Sequence, residues 1–433
     1  MSAIPPHGGS GAGAPLHMAV AAMFFALGLG LGLWGGASGA ILTHAGVDAA
    51  TFGILLTVYT GAYLIAMSAG GALAHRFPVE RVLPVSAIVY GAALCGLLNA
   101  SGQAEVAIAL IAAGFLGGVV DVTMNAEGAR IERRLSRPIL ARLHAAASAG
   151  MAIGAILGSL IAAGSAPSAA GILAALALAG AGVAYDRAAR SDRPAPAPVG
   201  VPGRSGLSFA PALIALGVVI GVSIAAELAA SLWSTLLLRE EAPKLAAISG
   251  LGAAFFSACQ AALRFNADAI RLRISDLRVI VASFAVAAAG FALVGAQAGF
   301  AASVAGFALI GVGTGPIVPC SFALAARQSA AGPAVGLASA SLFSALTRLP
   351  APLATGAIAR RFRCRALLPL SRSRSRSLPA RLRRALPYAA PSDRRARREC
   401  SAPSGHCLDA PGIAEEAPRA RRFQTPEANP GKQ

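Results

Sequence analysis

Charge is scarce in this chain. Only 13% of its 433 residues are Asp, Glu, Lys or Arg, whereas 56% are hydrophobic. A soluble protein of this length needs polar residues on every exposed helix face, so that class is excluded. The six cysteines form no framework. Cys95, Cys259 and Cys320 lie in apolar stretches, Cys364, Cys400 and Cys407 lie near the C-terminus, and no Cys/His spacing suits a metal. No metal or cofactor is expected. There is no GxxxxGK[ST] motif, which excludes direct use of ATP. His144 and Ser148 stand four residues apart, but no orienting acid or oxyanion hole accompanies them, so no catalytic residue and no enzyme activity are expected. No Lys or Arg precedes the first apolar run, which is too long for a signal h-region and reads as a first membrane helix.

What the chain does have is a row of about eleven long apolar segments: 18–43, 52–74, 82–100, 105–127, 144–164, 168–185, 208–238, 245–263, 278–298, 300–326 and 334–358. A bilayer-spanning helix needs about 20 mostly apolar residues. The fold class that follows is an all-α polytopic membrane protein, with membrane lipid as an obligatory partner.

The basic residues orient it. Residues 360–433 hold 18 Lys/Arg and 6 Asp/Glu, so the pI of 11.2 is a property of the C-terminal tail. Of the 19 basic residues before it, 16 lie on alternate loops or the helix ends beside them, such as Arg76 and Arg81, Arg130 to Arg142, Arg187 to Arg204, Arg264 to Arg278, and Arg327. The opposite loops hold only Arg239 and Lys244, and Arg348 lies within an apolar segment. Lys and Arg are retained in the cytoplasm, so the N-terminus is expected there, in a bacterial inner membrane.

The segments form two groups. Residues 1–17 read as a disordered lead, 18–185 as a six-helix bundle, 186–207 as a Pro-rich cytoplasmic linker and 208–359 as a five-helix bundle. The stretches GFLGGVVDVTMNAEGAR (114–130) and GVGTGPIVPCSFALAAR (311–327) align without gaps, sharing Gly114/Gly311, Gly118/Gly315, Ala126/Ala323, Ala129/Ala326 and Arg130/Arg327. That register is what a parallel repeat requires. Residues 360–433 form a basic low-complexity tail without an apolar run, where a twelfth helix is due. Three readings stand for it. A frameshift near codon 361 would turn Ala/Leu/Gly codons of a GC-rich gene into Arg/Pro/Ser codons. A genuine disordered extension is the second. A nucleic-acid-binding tail is the third, against which stands the near absence of stacking aromatics, only Phe362, Tyr388 and Phe423.

Several stretches resemble the major facilitator superfamily, in a bacterial branch similar to fucose-permease-like sugar porters. The loop GGALAHRFPVERVL (70–83) is similar to the superfamily's G-x-L-a-D-r-x-G-r-r loop at Gly71, Leu73, Arg76 and Arg81, with His75 in the acidic position. DVTMNAEGARIERRLSRPILARLHAAASAG (121–150) resembles the branch pattern D-V-x-M-N-x-x-G-x-x-x-E followed by R-P-I-x-x-x-x-H-G-x-W-S-x-G. AAELAASLWSTLLLRE (225–240) resembles E-G-A-x-x-D-W-S-x-x-x-L, with Leu232 in the acidic position. The resemblance implies two six-helix bundles, the twelfth helix lost here. It implies a secondary active transporter of a small solute working by alternating access, proton-coupled, with a sugar as one cargo. Arg76 and Arg81 in the first half, and Arg264 and Asp268 in RFNADAIRLRIS (264–275), become candidates for a conformational latch.

Charges within membrane segments are costly and mark cavities or partners. Asp121 and Asn125 share one helix face, suited to a hydroxyl or, at Asp121, to a proton. The competing reading is a structural link from Asp121 to the arginines of the following loop. Glu227, read in the outer half of the seventh segment, is a second proton-coupling candidate, against a packing hydrogen bond. Arg348 could bind an anionic group or pair with an acid across the cavity. Trp34, Tyr59, Tyr63 and Trp233 are candidates to stack on a sugar, against an interfacial role that suits Trp233 best. The rival to transport is a non-transporting membrane protein, either a defective remnant or a sensor or scaffold using its basic tail. The expected partners are a small-molecule substrate, a proton and lipid, not nucleic acid.

Overall fold

The computed structural model describes residues 14–135, 139–164, 168–191, 207–330 and 332–358, apart from the side chains at 14, 68–76, 267–268 and 333–334. The expected basic tail, most of the linker, and the side chains of Arg76 and Asp268 lie outside the described residues.

Every described element is a helix. The first half comprises α1 (Ala14–His44), α2 (Ala49–Arg76), α3 (Val79–Leu98), α4 (Gln103–Leu135), α5 (Leu140–Ala163) and α6 (Ser168–Ser191). The second comprises α7 (Pro211–Glu241), a 3-10 turn (Pro243–Ile248), α8 (Leu251–Phe265), α9 (Ala267–Arg271), α10 (Asp276–Gly295), α11 (Phe300–Thr314), α12 (Ile317–Gln328) and α13 (Pro333–Arg348).

Among the described residues, ten helical stretches are long and apolar enough to cross a membrane. The eleventh apolar segment is interrupted. Leu349 and Pro350 form a turn after α13, and helix resumes over 351–358. Proline lacks an N–H and crowds the carbonyl four residues back, so a helix breaks there. Gly315–Pro316 likewise separates α11 from α12 within one span. Other helices outrun their apolar segments. α4 continues to Leu135 and α6 to Ser191, because ion pairs Glu127–Arg130 and Asp186–Arg190 support the turns beyond the hydrocarbon layer. α1 begins at Ala14, inside the stretch read as lead.

Glycine decides the tightest packing. On α1, Gly28, Gly32 and Gly36 face α5, and on α5, Gly150, Gly154 and Gly158 face α1. A Cβ at Gly32 would stand 2.3 Å from the Met151 carbonyl oxygen, and one at Gly154 would stand 2.3 Å from that of Leu29. Two four-residue glycine ladders therefore interlock, bringing backbones into contact where lipid supplies no hydrophobic drive.

The halves repeat one another. α1 packs on α5 as α7 packs on α13, α2 on α4 as α8 on α11, and α3 on α4 as α10 on α11. α3 also packs on α6, and among the described residues α10 has no such partner. Accordingly half of the apolar window of α3 is buried, but only 28% of that of α10.

Candidate functional site

Two glycines on α4 set up the site. A Cβ at Gly114 would lie 2.5 Å from the Tyr59 carbonyl oxygen, and one at Gly118 would lie 2.5 Å from that of Tyr63. This close crossing of α2 and α4 carries the next turn of α4 under the Tyr63 ring. The Tyr63 hydroxyl donates to Asp121 Oδ2 at 2.7 Å. Asn125 Nδ2 donates to Asp121 Oδ1 at 3.0 Å and to its backbone carbonyl at 2.9 Å. Asp121 is therefore held by two neutral donors, and no loop arginine bonds it among the described residues.

Arg348 approaches from the other half. Its guanidinium lies over the Tyr63 ring, 5.7 Å from the centroid, and Nη2 is 3.7 Å from Met67 Sδ. Its Nε is buried without a hydrogen-bond partner. Among the described residues Arg348 makes no ion pair.

A second charged pair joins α7 to α8. Arg264 Nη2 donates to both carboxylate oxygens of Glu227, at 3.0 and 2.9 Å. Both side chains are largely buried, 17% and 19% exposed respectively. Glu227 lies at the middle of α7 rather than in its outer half, because α7 extends to Glu241. Arg264 turns inward to this carboxylate.

Of these groups, Asp121, Asn125, Arg264 and Arg348 line a cavity of about 740 Å³ between the two halves. Its wall includes Asp121, Asn125 and His144 from the first half, with Arg264, Ser341, Ser344 and Arg348 from the second. Leu64, Met67, Ile224, Val318 and Phe322 supply much of the apolar remainder. Most of these residues belong to the helix portions nearer the arginine-rich loops, Arg348 lies near the middle of the 333–358 segment, and the cavity reaches Leu140 and Arg264 at helix ends.

The opposite portions of the same helices are shut. A Cβ at Gly53 on α2 would stand 2.9 Å from Gly356 Cα, one at Gly35 on α1 would stand 2.8 Å from the Ser231 carbonyl oxygen, and one at Gly250 would stand 2.0 Å from that of Ala155. Ser38 Oγ donates to the Leu232 carbonyl at 3.3 Å, and Phe52 packs on Trp233 with centroids 5.3 Å apart. The aromatic candidates sit largely in or above this seal. Trp34 is 2% exposed and packs on Tyr59 at 5.3 Å, and Tyr59 neighbours Tyr63 at 6.3 Å. None of the four aromatic candidates, Trp34, Tyr59, Tyr63 and Trp233, lines the cavity in this conformation, whereas Asp121, Asn125 and Arg348 do.

At the arginine-rich end, Arg81 is exposed at the start of α3. Two acids lie nearby, Glu127, which sequence reasoning passed over, and Glu132, which it matched to the motif without assigning a contact. Glu127, 1% exposed, takes Arg130 in a two-point pair, with Nε to Oε2 at 2.8 Å and Nη2 to Oε1 at 2.6 Å. Glu132 Oε2 accepts the backbone N–H groups of Ile139 and Leu140 at 2.7 and 2.9 Å, capping α5. In the second half Asp276 pairs with Arg271 and Arg327. Arg130 and Arg327, equivalent in the repeat, thus both end in an ion pair. The signal for Glu127 was present, since it sits three residues before Arg130.

The Major Facilitator Superfamily profile matches residues 18–368. An uncharacterized transporter, y4wD, of Sinorhizobium fredii is 28% identical over 350 residues, covering 78% of this chain and 90% of that protein. The membrane protein MosC of Rhizobium meliloti is 29% identical over 136 residues, 31% of this chain and 33% of that one. Among solved structures, the nucleoside transporter NupG superposes with a TM-score of 0.58 at 12% identity, covering 79% of this chain and 89% of NupG. A bacterial homolog of the human lysosomal transporter Spinster, solved inward-facing and unoccupied, gives 0.60 at 11% identity, covering 85% of this chain and 86% of that one.

Proposed function

Since the chain belongs to the Major Facilitator Superfamily, we propose that it is a proton-coupled secondary transporter that moves a small polar solute by alternating access. The observation that carries this reading is one cavity between two repeated halves, holding membrane-depth charges, reaching toward one end and shut at the other. With arginine-rich loops on the cytoplasmic side, the cavity faces inward in a bacterial inner membrane.

Asp121 is the proton site in this reading. Its hydrogen-bond donors are neutral, and it lies in the cavity wall next to the contact between the halves. Glu227 is less suited, because a proton arriving there would have to break the pair with Arg264. Asn125, Ser341 and His144 offer donors and acceptors to hydroxyl groups, which supports a sugar-like cargo.

Transport of labelled glucose and glucuronate into proteoliposomes, with and without an acid-outside pH gradient, tests the reading. Wild-type protein is expected to accumulate its solute only with the gradient. Asp121→Asn keeps the shape of the side chain and should fall to the equilibrium level while retaining counterflow exchange. Gradient-driven accumulation by Asp121→Asn at the wild-type level would contradict the assignment.

A further inference from the structure

We propose that Arg348 is the subsite for an anionic group of the cargo, a carboxylate, so that the transported solute is an organic monoanion. This rests on the transporter reading above and adds the chemistry of its cargo.

The first support is the state of Arg348. A guanidinium carries five N–H donors and stays charged. Here one nitrogen meets a thioether sulfur, Cζ lies over a tyrosine ring at 5.7 Å from its centroid, and Nε has no hydrogen-bond partner. A cation at membrane depth is costly unless something compensates it. The other arginine in the wall, Arg264, already has Glu227. Arg348 thus feels the Asp121 carboxylate across the cavity but makes no direct ion pair among the described residues, and planar two-point recognition of a carboxylate is what a guanidinium does best.

Position is the second support. Ser341 and Ser344 stand seven and four residues before Arg348 on the same stretch of α13, and all three line the cavity. A carboxylate at the guanidinium would lie beside these hydroxyls. The apolar wall of Leu64, Met67, Ile224, Val318 and Phe322 would take the body of the solute.

Charge balance is the third. With His144 counted as neutral, Asp121 and Glu227 offset Arg264 and Arg348, so the empty site is neutral overall. A monoanion alone would leave a net negative charge in a low-dielectric space. A proton on Asp121 restores neutrality. The groups facing Asp121 are Tyr59 and Tyr63 on α2, Tyr90 on α3 and Arg348 on α13, with His144 and the Glu227–Arg264 pair in or beside the same cavity wall. None of these neighbours is a second unpaired carboxylate. Anion and proton therefore enter together, and the cargo as a whole is electroneutral.

Binding to the purified full-length protein in detergent tests this, with acetate, glucuronate and 3-phenylpropanoate against acetamide, glucuronamide and 3-phenylpropanamide. Each acid has the shape of its amide, so the comparison isolates the charge. Thermal stabilisation of the wild-type protein is expected from at least one acid at millimolar to tens of millimolar concentration, with the matched amide about tenfold or more weaker. Arg348→Gln should erase the difference between acid and amide, and Arg348→Lys should keep part of it. Equal binding of acid and amide, no response to any acid, or an unchanged preference in Arg348→Gln would overturn the proposal. A pH dye in weakly buffered solution reads proton uptake in the same samples. Acid binding that needs Arg348 but takes up no proton upholds the anion site and removes the proton from the transport reading.

Discussion

At the residue scale, the site is a set of charges satisfied to different degrees. Glu227 and Arg264 are joined, Asp121 rests on neutral donors, and Arg348 makes no direct ion pair among the described residues. The paired set makes a direct prediction about stability. Removing one member strands a charge out of water, at a cost of about 3 kcal/mol, whereas removing both avoids that penalty. Glu227→Gln and Arg264→Gln should each lower the thermal midpoint of the purified protein, and the double variant should recover much of the loss. Additive losses would show that the two side chains act separately. Part of this was legible beforehand. The four-residue spacing puts Asp121 and Asn125 on one face, and Glu227, Arg264 and Arg348 stand out as charges in apolar runs. The partners were not, because Tyr63 to Asp121 and Arg264 to Glu227 are contacts between helices far apart in the chain. Glu127 stayed hidden because a carboxylate beside a run of arginines reads as part of a wet loop, although it is buried.

At the element scale, glycine spacing fixes which helices touch. The ladders Gly28–Gly32–Gly36 and Gly150–Gly154–Gly158 let α1 and α5 meet along their backbones, and Gly114 with Gly118 does the same for α4 and α2. Gly32→Leu would drive a side chain into the backbone of α5, where Met151 and Ala155 leave no space, and should abolish the monodisperse peak in size-exclusion chromatography. Gly96 on α3 has no atom within 4 Å of where a Cβ would stand, so Gly96→Ala should be tolerated and slightly stabilising, by about 0.5–1 kcal/mol. A normal profile for Gly32→Leu would mean that the α1–α5 seam is looser than described. Apolar length identified the membrane segments, since a bilayer demands such runs. It misplaced helix ends, because a helix can continue past the hydrocarbon on ion pairs, as α4 does through Glu127 and Arg130. It also missed the break at Leu349–Pro350, since one proline hardly changes the mean hydropathy of a long window.

At the scale of the whole molecule, two similar halves meet closely at one end and part at the other. The internal repeat at Arg130 and Arg327 and the alternation of arginine-rich loops anticipated this plan. Neither could say which end is closed, because that depends on contacts between halves, such as Gly53 with Gly356 and Gly250 with Ala155. In the proposed transport cycle a solute enters the cavity from the arginine-rich side, and these contacts open as the other end closes. The most direct measurement is thiol labelling of a Ser341→Cys variant, in a background freed of native cysteines, with a membrane-impermeant maleimide. Ser341 lines the cavity and leaves the charged groups intact. Labelling should be fast in inside-out vesicles and at background level in right-side-out vesicles. Equal labelling from both faces, or labelling from the outer face alone, would contradict an inward-facing cavity sealed at its far end.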